Sequence, residues 1–319
     1  MKTIIKSIIA ISVAAAALAA CGISSHSSKT KAGEYSYKEI ELNCPVKSID
    51  VRTYKASCKF GEVIKGELTY GNYLAEFDKA GNVIRKTEYN SSGDVDFVHM
   101  FKYDEKNNNI EEMSYSRKGE LKALQKTEYN DAGEIVKYFM YAEDGSLVSS
   151  AEHEYEGEYC VRSRYVTNRY VGYDENVATN EEEWVAKRDG ERILETAMYR
   201  NGKLEEVQKY STYEENGGLL AECVIYDADG VKLREFYKEN DGHGIKLFKL
   251  HDFTDDSEYE YRVKRNDRGH IVYIYDSQEE HKETYYEYEY DSKGNWTKKV
   301  KFEGVMKKPV EITEREIKY

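Results

Sequence analysis

The sequence predicts an all-β protein, a long antiparallel meander of repeated hairpins in an elongated or coiled single sheet. Three observations predict it. Aromatic residues precede glycine turns at regular steps: "FDKAGN" at 77, "YNSSGD" at 89, "YDEKNN" at 103, "YSRKGE" at 115, "YNDAGE" at 129 and "YAEDGS" at 141 are separated by 12, 14, 12, 14 and 12 residues. Between these turns the chain alternates polar and apolar residues with period two, as half-buried strands do. The only two prolines are Pro45 and Pro309, so the body between them is free of residues that break a strand ladder.

Each unit of the repeat explains itself chemically. The Asp or Asn after the aromatic can accept hydrogen bonds from its own turn, and the Gly four positions after the aromatic supplies the positive φ that closes a hairpin. In "YDEKNN" the glycine is replaced by Asn107, the kind of residue best able to take that conformation. In the strand "ETYYEYEY", Thr284, Tyr286, Tyr288 and Tyr290 share one face and Glu283, Tyr285, Glu287 and Glu289 the other; in "NWTKKVKF", Trp296, Lys298, Val300 and Phe302 share one face. One strand and one tight turn per unit make consecutive strands antiparallel neighbours. The pattern loosens over 156–198 and returns as "YRNGK" at 199, "YDADGV" at 226, "NDRGH" at 266 and "YDSKGNW" at 290. The charges in the closing "EITEREIK" are interleaved, which reads as a solvated face.

Residues 1–20 combine Lys2 and Lys6, an apolar run and small residues, the layout of an export signal. They end in Leu18-Ala19-Ala20-Cys21, which resembles a bacterial lipobox. That resemblance implies cleavage before Cys21 and acylation of Cys21, with two or more acyl chains giving stable anchoring. Residues 21–36 are small and polar and read as a flexible tether, and 37–319 as the repeat domain. With no acidic residue just after Cys21, the expected place is the outer membrane, facing the periplasm in preference to the cell surface.

The motifs "YDSKGN", "FDKAGN" and "YDEKNN" resemble the tyrosine–aspartate (YD, or RHS-type) repeats of bacterial surface and toxin-shell proteins. The layout over about residues 46–319 is similar to repeat lipoproteins of Bacteroides-type bacteria. The resemblance implies a repeat scaffold; the chain has fewer repeats than the shell-forming members and no toxin segment.

A formal net charge of -13, made more acidic by loss of Lys2 and Lys6 with the signal, disfavours nucleic acid as a partner. The acids of "DADG" and "DFTDDSE" lack the ligand spacing of a calcium loop, and the His243 and His251 region has no nucleophile elbow. Neither a catalytic set, a metal site nor a cofactor is therefore expected. Cys44 and Cys58 are near enough in sequence to form a disulfide in an oxidising compartment, the alternative being buried thiols. The row Tyr285, Tyr286, Tyr288 and Tyr290, with Trp296 across the following turn, is a candidate aromatic surface for a sugar ring or a partner protein, the alternative being cross-strand ladders that stabilise the sheet. The candidate binding surface lies where the repeat is broken: Arg162, Arg164, Tyr165, Arg169, Tyr170 and Trp184, suited to an acidic glycan or a protein carboxylate, unless the arginines pair with Glu181, Glu182 and Glu183; the loop around His243 and His251 is a second candidate. The expected function is a membrane-anchored, non-catalytic module that binds an envelope protein or glycan. A structural spacer or assembly factor is the alternative, and an envelope hydrolase the third.

Overall fold

The computed structural model describes residues 40–168, 179–190, 192–215, 218–241, 243–280 and 282–319. No helix occurs among them, and they form 21 strands. In chain order these are β1 Ser48–Lys59, β2 Glu62–Leu68, β3 Asn72–Phe77, β4 Val83–Tyr89, β5 Val95–Tyr103, β6 Asn109–Ser116, β7 Leu121–Tyr129, β8 Ile135–Ala142, β9 Leu147–Glu156, β10 Tyr159–Thr167, β11 Asn180–Asp189, β12 Arg192–Arg200, β13 Lys203–Glu215, β14 Gly218–Asp227, β15 Lys232–Asn240, β16 Ile245–Asp252, β17 Ser257–Arg265, β18 Ile271–Asp276, β19 Glu283–Tyr290, β20 Trp296–Glu303 and β21 Lys308–Lys318. The strands belong to one sheet. The described residues divide into two compact units, one within 127–244 and 248–258, the other, which holds both ends of the described chain, within 40–126, 245–247 and 259–319.

The repeated turn works as its composition requires. Asp78 N donates to Asn82 O at 2.9 Å, Gly81 N donates back to Asp78 O at 3.2 Å, and the Asp78 carboxylate accepts the amides of Ala80 and Asn82. Gly81 sits at φ 92°, and the register slips by one residue beside it, the signature of a hairpin turn joined to a bulge. The same arrangement recurs at Asp104, Asn266 and Asp291. Asn107 takes φ 63° in place of glycine. The turn tyrosines tie neighbouring hairpins together. Tyr103 Oη donates to Val83 O at 2.7 Å and Tyr155 Oη to Ile135 O at 2.9 Å, both 20 residues upstream.

The expectation of an open, elongated or coiled meander is corrected at the chain ends. In the unit that holds both ends, β1 pairs antiparallel with β21 over eight residues, from Ser48↔Lys318 to Lys55↔Glu311. Its other flank is shared by β2 and β3 in succession. The strand order is thus that of a closed, barrel-type sheet, with β2 and β3 counting as one position. Closure pairs the backbone groups that a free first or last strand would expose. It could not be read locally, because the residues that close the sheet stand at opposite ends of the sequence.

The segment 156–198 is also corrected. Its described residues belong to the sheet: β9 pairs with β10, β10 with β11 and β11 with β12. Among the described residues the aromatic–Asp–Gly formula gives way to reversals at Gly157 (φ 65°) and Gly190 (φ 57°). In the unit that holds the chain ends, residues 40–46 lie over the sheet. Ile40, Leu42 and Val46 join Ile49, Val51, Ala75, Phe77, Val83 and Phe101 in one buried cluster.

Candidate functional site

Cys21, Arg169 and Tyr170 lie outside the described residues. The others do not converge on one surface. Arg162 and Arg164 alternate with Ser163 and Tyr165 along β10, so the guanidinium groups and the aromatic rings face opposite ways. Arg164 makes two parallel hydrogen bonds to Glu181, at 2.8 and 2.9 Å, and Arg162 lies 3.2 Å from Glu183 and 3.7 Å from Glu154. On the other face Trp184 is buried with Met198 and packs against Tyr165. The arginine patch is therefore an ion-paired sheet surface. His251, in the other candidate loop, lies 3.2 Å from Asp256 and stacks on Phe253 at 4.2 Å. Cys44, Cys58, Cys160 and Cys223 are free thiols, so Cys44 and Cys58 do not form a disulfide. Among the described residues no group of three or more His, Cys, Asp or Glu is placed to hold a metal ion.

A different cluster does come together, within the unit that holds both chain ends. The turn "YDSKGNW" builds it. Asn295 is fully buried; its Oδ1 accepts from Asn43 N at 2.7 Å and its Nδ2 donates to Tyr319 Oη at 2.9 Å. Asn43 Nδ2 donates in turn to Gly294 O at 2.7 Å. At the equivalent position Asn82 and Asn108 bond only the Asp of their own turn or a neighbouring turn; Asn295 instead clamps the incoming segment. This fixes Glu41, at φ 57°, over Trp296, whose Nε1 donates to Glu41 Oε2 at 2.7 Å.

Arg315 completes the cluster. It stands on β21 opposite Val51 of β1, with its side chain 6% exposed and its guanidinium carbon 3.2 Å from the centre of the Trp296 ring. Its Nη2 is 4.0 Å from Glu41 Oε2, while Nε and Nη1 are buried with no hydrogen-bond partner among the described residues. Burial lowers its pKa to about 10, against the opposing pull of Tyr73 and Glu41, so it stays charged at neutral pH. Lys299 Nζ lies 5.1 Å from the same ring, its pKa also lowered by burial. Tyr288 meets Trp296 edge-on at 6.0 Å and stacks on His270, whose ring nitrogen is 2.9 Å from Tyr290 Oη. The interleaved charges of "EITEREIK" are thus not a single solvated face: Arg315 shares its side of β21 with Thr313 and Ile317. Chemically the cluster is a buried cation on an indole, with a carboxylate already seated against it.

No protein-family model matches the chain, and no curated protein matches it. The tyrosine–aspartate resemblance therefore rests on the turn motifs alone. Among solved structures, a porin-like protein from Bacteroides uniformis aligns with 10% identity over 86% of this chain and 98% of that one, at a TM-score of 0.32. A DUF1329 family protein from Desulfovibrio piger aligns with 7% identity over 86% of each chain, at a TM-score of 0.14. Both likenesses are loose, and neither assigns an activity to this chain.

Proposed function

We propose that the protein is a lipid-anchored, non-catalytic module of the bacterial envelope, held at the outer membrane on the periplasmic side, and that the Trp296–Arg315 cluster receives a carboxylate of its glycan or protein ligand. The carrying observation is the seat of Glu41. Its carboxylate accepts from the indole of Trp296 beside a guanidinium with two further buried donors that have no partner among the described residues. Buried donors of a charged group are costly unless paired, and a planar guanidinium matches a carboxylate through two hydrogen bonds. The chain's own N-terminal segment supplies the chemistry that a ligand would bring. The anchor reading rests on Leu18-Ala19-Ala20-Cys21.

A membrane-spanning sheet fits less well. Such a sheet needs a continuous apolar band on its outer side. The neighbouring strands β19, β20 and β21 carry Lys299, Lys301 and Glu311 on one face and Glu289, Lys298 and Glu314 on the other. Among the described residues no helix is long and apolar enough to cross a membrane.

Calorimetric titration of uronic-acid oligosaccharides and acidic peptides separates the readings. Glu41→Ala, which removes the internal carboxylate, is expected to bind such ligands more tightly than the parent, and Arg315→Met to lose binding. Absence of heat with all ligands and all three proteins, together with a large loss of stability in Glu41→Ala, would leave the cluster as a latch and favour the spacer reading, which the tyrosine-to-backbone bonds between hairpins independently support. Cys21→Ser is expected to abolish acylation and membrane sedimentation; retention of both would remove the anchor.

A further inference from the structure

We propose that the β1–β2 and β20–β21 hairpins form a membrane-docking edge that dips Phe60, Val305 and Met306 into a lipid surface. Because β1 and β21 are antiparallel neighbours, the end of β1 and the start of β21 lie at the same end of the sheet, and so do the two hairpin tips. Phe60, Val305 and Met306 are 106%, 83% and 95% exposed. The turns at the opposite end of this unit, 78–82, 104–108, 266–270 and 291–295, read DKAGN, DEKNN, NDRGH and DSKGN and carry no large apolar side chain. Exposed apolar groups concentrated on adjacent tips mark a contact surface, whereas scattered ones do not.

The turn chemistry shows that Phe60 is not there for the fold. Phe60 and Gly61 have φ 53° and 85° in a two-residue reversal between Lys59 and Glu62. A turn with both central residues at positive φ calls for Asn-Gly. Among the described residues the other instance of such a pair is Asn-Gly: Asn201 and Gly202, at φ 50° and 76°, reverse the chain between Arg200 and Lys203. A fully exposed phenylalanine in the position of that asparagine is unfavourable both locally and by hydration, which points to a partner that receives the ring.

A lipid surface is the partner that fits. Lys59 precedes Phe60, and Lys307 and Lys308 follow Met306, all exposed, against two acids at the same tips, Glu62 and Glu303, the second ion-paired with Lys301 at 2.7 Å. Apolar tips flanked by lysines suit the boundary between acyl chains and anionic headgroups, where lysine stems lie along the apolar layer and the ammonium groups reach phosphate. The 19 residues from Cys21 to Glu39 have a contour of roughly 60 Å. The 12 residues of β1 span about 40 Å. The tether is therefore long enough to run past the sheet and let this edge meet the bilayer. The inference rests on the lipid-anchor reading for the presence of that bilayer.

The test uses the full processed chain in vesicles of phosphatidylethanolamine and phosphatidylglycerol containing brominated lipid. Phe60→Trp and Met306→Trp each place a reporter at a tip, Lys79→Trp places one in an opposite turn, and the native Trp184 and Trp296 are buried and supply a constant background. Loss of emission from both tip reporters, with shielding from iodide, and neither effect in Lys79→Trp, is the expected result. Tip reporters quenched by bromine no more than Lys79→Trp, and equally open to iodide with and without vesicles, would overturn the proposal. Mass spectrometry of the same samples reads acylation separately. An unacylated chain whose tips are still quenched would retain the docking edge while removing the anchor, and an acylated chain with unquenched tips would do the reverse.

Discussion

The hydroxyl of Tyr103 donates to the carbonyl of Val83 at 2.7 Å, and Tyr155 repeats the bond to Ile135 at the same spacing of 20 residues. The recurrent turn aromatic is therefore a fastener between successive hairpins, and its ring at Tyr103 also packs on the cluster around Phe77 and Phe101. Tyr103→Phe keeps the ring and removes the donor, so it is expected to cost about 1 kcal/mol in urea unfolding. Tyr70→Phe, at an exposed position, is expected to be neutral and serves as the control.

The turn glycines bear a second expectation. Gly133 and Gly294 have φ 86° and 83°, and a Cβ on Gly294 would meet Arg268 Nη1 at 3.0 Å and Asn43 Nδ2 at 3.5 Å. Gly133→Val and Gly294→Val are each expected to cost more than about 1 kcal/mol. Asn107→Gly exchanges relief of a positive φ for loss of a hydrogen bond from Asn82, and is expected to change stability by less than about 0.5 kcal/mol. Thermal melts of the three variants check the register of the hairpins.

These turns were legible in the sequence because everything that decides them lies within six residues. Two other features were not. The pairing of β1 with β21 joins the two ends of the chain and leaves no local mark. Trp296 with Tyr288 and Tyr290 is legible as an aromatic row, but the pairing of Trp296 with Arg315 and Glu41 is hidden for the same reason, since Glu41 lies 255 residues away and sits just past a stretch that reads as tether. A signal was present: on β21, Arg315 alternates in phase with Thr313 and Ile317 and out of phase with Glu314 and Glu316. The arginines of "CVRSRYVTNRY" stand out by their density, yet Arg162 and Arg164 lie beside a strand that begins Asn180-Glu181-Glu182-Glu183, and opposite charges on neighbouring strands pair, here on the diagonals Arg162–Glu183 and Arg164–Glu181.

That pairing gives a directional expectation. Glu181→Arg, diagonal to Arg164 across the ladder, is expected to lower the melting temperature, and the double exchange Arg164→Glu with Glu181→Arg to restore it. A melting temperature unmoved by either change would show that the pair holds nothing.

Stability should also depend on His99. Its Nδ1 lies 2.9 Å from Ser114 Oγ and 3.2 Å from a Glu112 carboxylate oxygen, while Glu88 stands 3.8 Å from Nε2, too far for a hydrogen bond but within reach of its charge. Burial acts to lower the His99 pKa, but Glu112 and Glu88 outweigh it and raise it to about 9. A folded-state value above the unfolded one means the stabilisation is complete below about pH 6.5 and is lost as pH rises through about 9. With allowance for solvent screening the loss is on the order of 1–2 kcal/mol. The Glu88 carboxyl, held down to about 2 by His99 and Lys86, works in the opposite direction: its contribution is present above about pH 4.5 and is lost as pH falls through about 2. Unfolding free energies between pH 6 and 9.5 are expected to fall in the parent and to stay flatter in His99→Gln.

Phe60 sets stability against surface chemistry in a single residue. It occupies, at φ 53°, the place that Asn201 fills at φ 50° in a matching reversal. Holding a bulky residue in the left-handed region costs about 1 kcal/mol or more, and asparagine lessens that cost by bonding its own turn. Phe60→Asn is therefore expected to raise the melting temperature, and Asn201→Phe to lower it. Raised stability is the usual result of repairing a local rule that function had overridden. If Phe60→Asn melts at or below the parent in the absence of membranes, the ring is contributing to the fold at that tip and the left-handed strain is already compensated within the hairpin.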